Sequence, residues 1–280
     1  MTLTTISIVL FAALLHALWN AFVKAADDRF AILGLIAVGH VILGIALATQ
    51  NPFPAPESWP FIAGSTVIHF GYYFLLYHSY RLGDLSQVYP IARGMSPVLV
   101  ALGAQVFAGE TLPPAAWAGI LLASAGIFMM AGDVFRGETP PLVVLTALAT
   151  GVMIASYSLV DGMGVRVAAT SLGYIGWLFV AESIIAAFVF ARLGRRMLTI
   201  SRQTLILGLI GGLISATAYG LVIYVKAIAP LGMVSTLRET SVVFAALIGM
   251  LWLGERPWKL RLAASIIVAT GVVILGFSAA

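Results

Sequence analysis

Ten apolar runs of bilayer length follow one another with almost nothing between them, and that pattern decides the architecture before any single residue does. They fall at roughly 4–24, 30–49, 58–80, 84–108, 112–132, 140–160, 169–191, 203–226, 231–253 and 258–278. A helix needs about 20 mostly apolar residues to cross the hydrocarbon core of a membrane. Lipid offers no partner to a bare amide, so each run must bond its own backbone, which a helix does. The breaks carry helix-stopping residues: KAADDR (24–29), QNPFPAPE (50–57), RLGD (81–84), GETLPP (109–114), GDVFRGETPP (132–141), RLGRR (192–196) and GERPWK (254–259). The longest connection is about ten residues, so no soluble domain is left over and the helices must carry the function.

Composition agrees. Only 9% of the 280 residues are charged and 61% are hydrophobic, against roughly 25% charged in soluble domains. Such a chain cannot clothe a water-facing surface. In a soluble protein a net charge of +4 would suggest a polyanion partner. Here the excess Lys and Arg fall in short loops, where they orient helices across the bilayer, and no nucleic-acid partner is expected. The chain has no cysteine, which excludes disulfides and thiolate metal sites, and no cofactor is expected. The first run lacks a basic flank and extends beyond Leu3–Phe22, too long for the apolar part of a cleavable leader.

Slid against itself, the chain finds one gapless register. Residues 81–132 overlay 226–277 at an offset of 145, pairing Arg81 with Lys226, Arg93 with Arg238, Ser96 with Ser241, Gly109-Glu110 with Gly254-Glu255, and Gly126 with Gly271. A chance apolar match would not also align the rare charges. Upstream, Trp19-Asn20 pairs more loosely with Tyr157-Ser158 at an offset of 138. Five spans per copy is an odd number, so the copies enter the membrane from opposite sides, the inverted-repeat plan of many secondary transporters. Loop charges follow that plan. The loop after span 2 has no Lys or Arg, while its partner after span 7 has Arg192, Arg195, Arg196 and Arg202. The loop after span 4 has none, while its partner after span 9 has Arg256, Lys259 and Arg261. The positive-inside rule makes the basic loops cytoplasmic and both termini periplasmic. The fold expected is an all-α polytopic membrane protein, with ten transmembrane helices as two inverted five-helix repeats over 1–134 and 138–280.

LLHALWNAFVK (14–24) in the first span, and the paired endings GETL (109–112) and GERP (254–257), each lead into or flank spans rich in small residues. In these segments the chain resembles the EamA-type ten-helix members of the drug/metabolite transporter superfamily, over nearly its whole length. The resemblance implies an exporter or exchanger of small metabolites in a bacterial inner membrane, with a central cavity lined mainly by the first, third and fourth spans of each half. The chain departs from the commonest pattern at Gly94-Met95-Ser96-Pro97 and Arg238-Glu239-Thr240.

An ionisable side chain inside a span is costly unless it faces a cavity or a partner, so each one is a candidate for function. Arg93 and Arg238 lie about eight residues into their spans and are repeat equivalents, which places them at opposite entrances of one cavity. The structural alternative is an arginine locked to carbonyls or a nearby acid. Glu239 is displaced by about 100° from Arg238 around a regular helix, an unfavourable direction for pairing. His16, Asn20 and Lys24 share one face of the first span, with Trp19 beside it. Lys24 is also placed to snorkel to the headgroups. His69, Tyr73 and Tyr77 share a face of the third span and form a candidate cavity wall. His40 and His78 stand isolated and receive no role. Glu182 and Glu239 are buried by position, and Glu182 is the candidate for carrying a coupling proton; Asp161 falls near the interface. Pro90 and Pro97 bracket Arg93 and are expected to kink its helix.

These residues favour a secondary transporter of a small anionic or zwitterionic metabolite working by alternating access. The rival within the class is a multidrug or organic-cation exporter using Glu182 and Glu239. An intramembrane enzyme would need a nucleophile beside its base, or a metal set such as HExxH, and no such motif is present. A structural subunit would not need symmetric inward arginines. No nucleotide-binding loop is present, so energy must come from gradients, with protons the candidate ion. The expected partners are the substrate and the bilayer, for a monomer or homodimer.

Overall fold

A computed structural model of the chain describes residues 1–82, 85–132, 137, 139–252 and 258–278; the side chains of 24, 25, 29, 77, 80, 81, 85–87, 249–252 and 258 also lie outside the described set. Regular structure among the described residues is entirely helical. The first half holds α1 (Leu3–Ala25), α2 (Arg29–Gln50), α3 (Trp59–Leu82), α4 (Leu85–Phe107) and α5 (Pro114–Met129). The second holds α6 (Pro141–Arg166), α7 (Ser171–Ala181), α8 (Ser183–Leu193), α9 (Arg202–Lys226), α10 (Leu231–Arg238), α11 (Ser241–Trp252) and α12 (Trp258–Ser278). Their ends follow from local chemistry. Thr2, Asp28 and Ser201 accept amides at the starts of α1, α2 and α9, and Pro stands at N1 or N2 of α5 and α6.

Among the described residues, eight segments are long and apolar enough to span a membrane, counting α7 with α8 and α10 with α11 as single spans. The other two expected spans are present as helices of different character. α5 is apolar but only 16 residues long. α3 has 24 residues, but its histidines, tyrosines and serines lower its hydropathy because one face turns inward to a cavity. Large apolar side chains such as Phe11, Leu145 and Ile266 are exposed on the outside of the bundle, where only lipid would meet them without penalty.

Two spans are interrupted where a continuous helix is expected. At Glu182 the backbone ψ opens to −8° between α7 and α8. At Glu239–Thr240, Glu239 N and Thr240 N bond back three residues, to Thr236 O and Leu237 O, and Thr240 Oγ1 also donates to Leu237 O at 2.7 Å. That local tightening re-aims the carboxylate of Glu239. Both breaks fall on buried acids.

Small residues set the closest crossings. A Cβ on Gly119 of α5 would lie 2.7 Å from Gly271 O of α12, and one on Gly271 would lie 2.7 Å from Gly119 O. On α9, a Cβ at Gly212 would lie 2.9 Å from the Gly39 Cα of α2. Within lipid such close packing replaces the hydrophobic drive between helices. Gly212→Val is therefore expected to force α2 from α9 at a cost of about 1–3 kcal/mol or more, read as a lower melting temperature and a smaller monodisperse fraction in detergent.

The packing pairs exchange in an orderly way. α1 lies along α9 as α6 lies along α3, α11 packs on α1 as α4 packs on α6, and α2–α7 and α5–α12 meet directly. Connections gather at two ends. At one, Ala55 N bonds Ala168 O, and Arg166 pairs with Glu110 at 2.6 Å and donates to Ala229 O at 2.8 Å. At the other, Arg196 pairs with Asp28 at 2.8 Å.

Candidate functional site

The helices enclose a central cavity with about 60 Å³ open to the centres of water-sized molecules, room for a few waters at about 10–15 Å³ each. α1 contributes His16 and Trp19, and α3 contributes His69, Tyr72 and Tyr73. Facing them are Tyr157 of α6, Tyr219 of α9 and Arg238 at the end of α10. Trp19, Leu33 and Leu76 carry the cavity toward the end where Arg196 meets Asp28. The other end is closed: Lys226 Nζ donates to Ser158 O at 2.8 Å, and both Glu110 oxygens accept from Leu231 N, at 2.9 and 3.1 Å.

Arg93 and Arg238 do not stand at opposite entrances, nor does Glu239 turn away from them. All three converge in the core. Arg93 Nε lies 3.0 Å from Glu239 Oε2, and Arg238 Nη2 lies 3.3 Å from Glu239 Oε1. The interrupted helix and the reach of an arginine overcome the 100° offset of neighbouring positions. One carboxylate thus serves two guanidiniums, each about 3% exposed, while Glu239 is fully buried. Arg93 also lies 2.8 Å from His16 Nε2 and 3.3 Å from Ser241 Oγ, and sits over the Tyr89 ring at 5.5 Å. A guanidinium only donates, so that His16 nitrogen accepts. The buried Nε of Arg238 has no hydrogen-bond partner among the described residues. The cluster carries one more positive charge than negative, and one buried guanidinium donor of a cavity-lining arginine is unanswered among the described residues.

The remaining expected residues divide. His16, Trp19, His69 and Tyr73 line the cavity. His69 is fixed by Ser65, through Oγ at 3.1 Å and O at 3.0 Å, and stacks on Tyr157 with centroids 4.2 Å apart. Asn20 spends its amide on His16 O, one turn back on its own helix, at 2.7 Å. The side chains of Lys24 and Tyr77 lie outside the described residues. Glu182 lines the cavity, held by His40 at 2.8 Å. Asp161, near the end of α6, is fully buried in the protein and accepts hydrogen bonds from Tyr174 and Tyr219.

Sequence reading passed over His40, Tyr157, Ser215, Tyr219 and Lys226. Ser215 and Tyr219 are four apart and so share a face of α9, a signal visible in the sequence. His40 and Glu182 are 142 positions apart, between the two repeat offsets, so neither offset aligns them. A nucleophile beside a base is also present in space, though no motif marks it: Ser215 Oγ lies 3.0 Å from His40 Nε2.

Apolar helices of bilayer length around a polar central cavity define a polytopic membrane protein. Residues 3–132 match the EamA-like transporter family, and in that segment the chain is similar to its members. An "Uncharacterized transporter in cobO 3'region" from Sinorhizobium sp is 29% identical over 126 residues, covering 43% of this chain and 89% of that protein. A solved structure described as "Crystal structure of protein" aligns over 98% of both chains with a TM-score of 0.79. At 21% identity that likeness shows the fold alone.

Proposed function

We propose that the chain is a secondary transporter of a small anionic or zwitterionic metabolite across the inner membrane, working by alternating access. Arg93 and Arg238 attract the anionic group. The observation that carries this reading is the uneven charge of the core: two buried guanidiniums share one carboxylate, and Arg238, which lines the cavity, has a buried Nε without a hydrogen-bond partner among the described residues. A carboxylate or phosphonate would answer that donor with charge-assisted hydrogen bonds. The organic-cation alternative lacks an open acid, since Glu239 is engaged by two arginines and Glu182 by His40.

In the same reading, 1–134 and 138–280 are inverted repeats. The exchange of packing pairs supports this, as does a relative of which 89% corresponds to 43% of this chain. Loop charges favour periplasmic termini. The cavity then faces the cytoplasm, because it extends toward the basic loop of Arg196.

The test uses purified protein with succinate, L-glutamate, methylphosphonate and tetraphenylphosphonium as thermal-shift probes, followed by flux in liposomes. At least one anion is expected to stabilise the wild type and be transported. Arg238→Ala should abolish that stabilisation and flux while leaving most protein folded, since Glu239 keeps Arg93. Arg93→Lys should weaken both, because an ammonium cannot reproduce the guanidinium fork. Stabilisation by the cation alone, or normal anion flux by folded Arg238→Ala, would overturn the assignment.

A further inference from the structure

Three polar groups stand in line across the bundle, and the arginine site does not use them. Ser215 Oγ on α9 lies 3.0 Å from His40 Nε2 on α2, and His40 Nδ1 lies 2.8 Å from Glu182 Oε2 at the α7–α8 break. All three are buried and all three line the cavity that Arg238 also lines. An ester-cleaving triad would present its atoms in the same order. Ser215, however, sits inside the continuous helix α9, whose amides are committed to helix bonds, so no pair of free N–H groups faces its oxygen to hold an oxyanion.

We propose that His40 and Glu182 together bind a transported proton, which enters the cavity with the anion as a co-substrate. This rests on the reading of Arg93 and Arg238 as the anion site. The first support is the choice of partner. Glu239 is answered by guanidiniums, which stay charged. Glu182 is answered by an imidazole, the side chain whose charge changes near neutral pH.

Charge balance gives the second support. With His40 neutral, the pair places one negative charge beside the cavity. With the proton on, it becomes an internally neutral ion pair. An anion moving toward Arg238 is repelled by the first state and not by the second, in a space with little water to screen the charges. The anion therefore binds the protonated form more tightly, and reciprocity requires it to strengthen proton binding by the same factor. Other groups facing the pair are His69 and Tyr73 from α3, Tyr219 from α9, His16 from α1 and Arg238 from α10. Among the described lining residues, Glu182 is the one carboxylate.

Position supplies the third. α2 and α7 pack so closely that a Cβ on Gly44 would lie 2.9 Å from Gly176 O, and Phe179 of α7 lies against the His40 ring, centroids 4.8 Å apart. The pair thus bridges two helices from different halves, at a break in one of them. A change in tilt between the halves alters access to it.

The experiment uses the full chain in lipid nanodiscs with ¹⁵N-labelled histidine. The His40 resonances, assigned by their loss in His40→Gln, are expected to report proton uptake by the pair within the pH window in which the protein stays folded. In a weakly buffered medium inside that window, succinate or methylphosphonate should draw up to about one proton per bound anion from solution. The affinity of the same probe should rise by up to about tenfold for each unit fall in pH. Glu182→Gln keeps an acceptor for His40 and removes the charge, so it should hold the wild-type low-pH affinity across the window. His78→Gln, at a half-buried histidine that does not line the cavity, should retain the pH slope. A wild-type His40 that does not titrate overturns the proton site without any variant being made. Anion binding that depends on Arg238 but takes up no proton overturns the coupling and leaves the anion site standing. Failure of every anion to bind, with His40 still titrating, overturns the anion site and co-transport together.

Discussion

Glu239→Ala is expected to lower stability more than any other single substitution in the core, by about 3–5 kcal/mol, while Arg93→Ala and Arg238→Ala cost clearly less. The asymmetry follows from counting charges. Each arginine variant leaves one guanidinium facing one carboxylate. Removing Glu239 leaves two buried guanidiniums, within reach of the same vanished partner, repelling each other in a medium that solvates neither. The measurement is folded yield and melting temperature for the three variants prepared in parallel. A second comparison separates charge from packing: Glu239→Ala combined with Arg93→Met and Arg238→Met replaces the cluster by apolar volume. That triple variant is expected to recover folding without recovering transport, because buried ion clusters can be exchanged for well-packed apolar groups at little cost. Equal destabilisation by all three single variants would mean that Glu239 is not the shared counter-charge.

The same cluster shows how far the sequence could be read. The all-helical, many-span fold was legible because it depends only on chain order and on the cost of exposing polar groups to lipid. Arg93 and Arg238 stood out for the same reason. Their pairing did not, because it depends on the break at Glu239–Thr240, where Thr240 Oγ1 donates to the Leu237 carbonyl and the carboxylate is turned from its regular helical direction. Periodicity arguments assume an unbroken helix, and they fail at the points where this fold departs from one. His40 was passed over because a single histidine in an apolar run has no local pattern. Its meaning comes from Glu182 and Ser215, 142 and 175 positions away in sequence. The low hydropathy of α3 was the one compositional sign that its inner face meets water rather than lipid.

Glu110→Gln is expected to open the closed end of the cavity. The Glu110 carboxylate accepts from Leu231 N at the start of α10 with both oxygens and pairs with Arg166 at 2.6 Å. It thereby ties the α4–α5 connection to the ends of α6 and α9. Arg166 strengthens the tie through Lys226 O and Ala229 O, at 3.0 and 2.8 Å. α10 is only eight residues long and ends in Arg238, so a contact that fixes its first amide also fixes the far side of the anion site. Losing the charge removes an ion pair and weakens a charge-assisted cap. At about 2 kcal/mol together, this shifts the closed–open balance by about thirtyfold. The chain has no cysteine, so a single engineered thiol gives a reporter without background. Ser235→Cys suits, being near-isosteric, about 1% exposed and one turn into α10, with an oxygen that has no hydrogen-bond partner among the described residues. In vesicles, a membrane-impermeant charged maleimide should label this thiol slowly from either face. Adding Glu110→Gln or Arg166→Ala should speed labelling at least tenfold from the outer face alone. Acceleration from the inner face would reverse the orientation assigned from loop charges. No acceleration from either face, in protein that remains folded, would show that Glu110 supports α10 without holding the cavity shut.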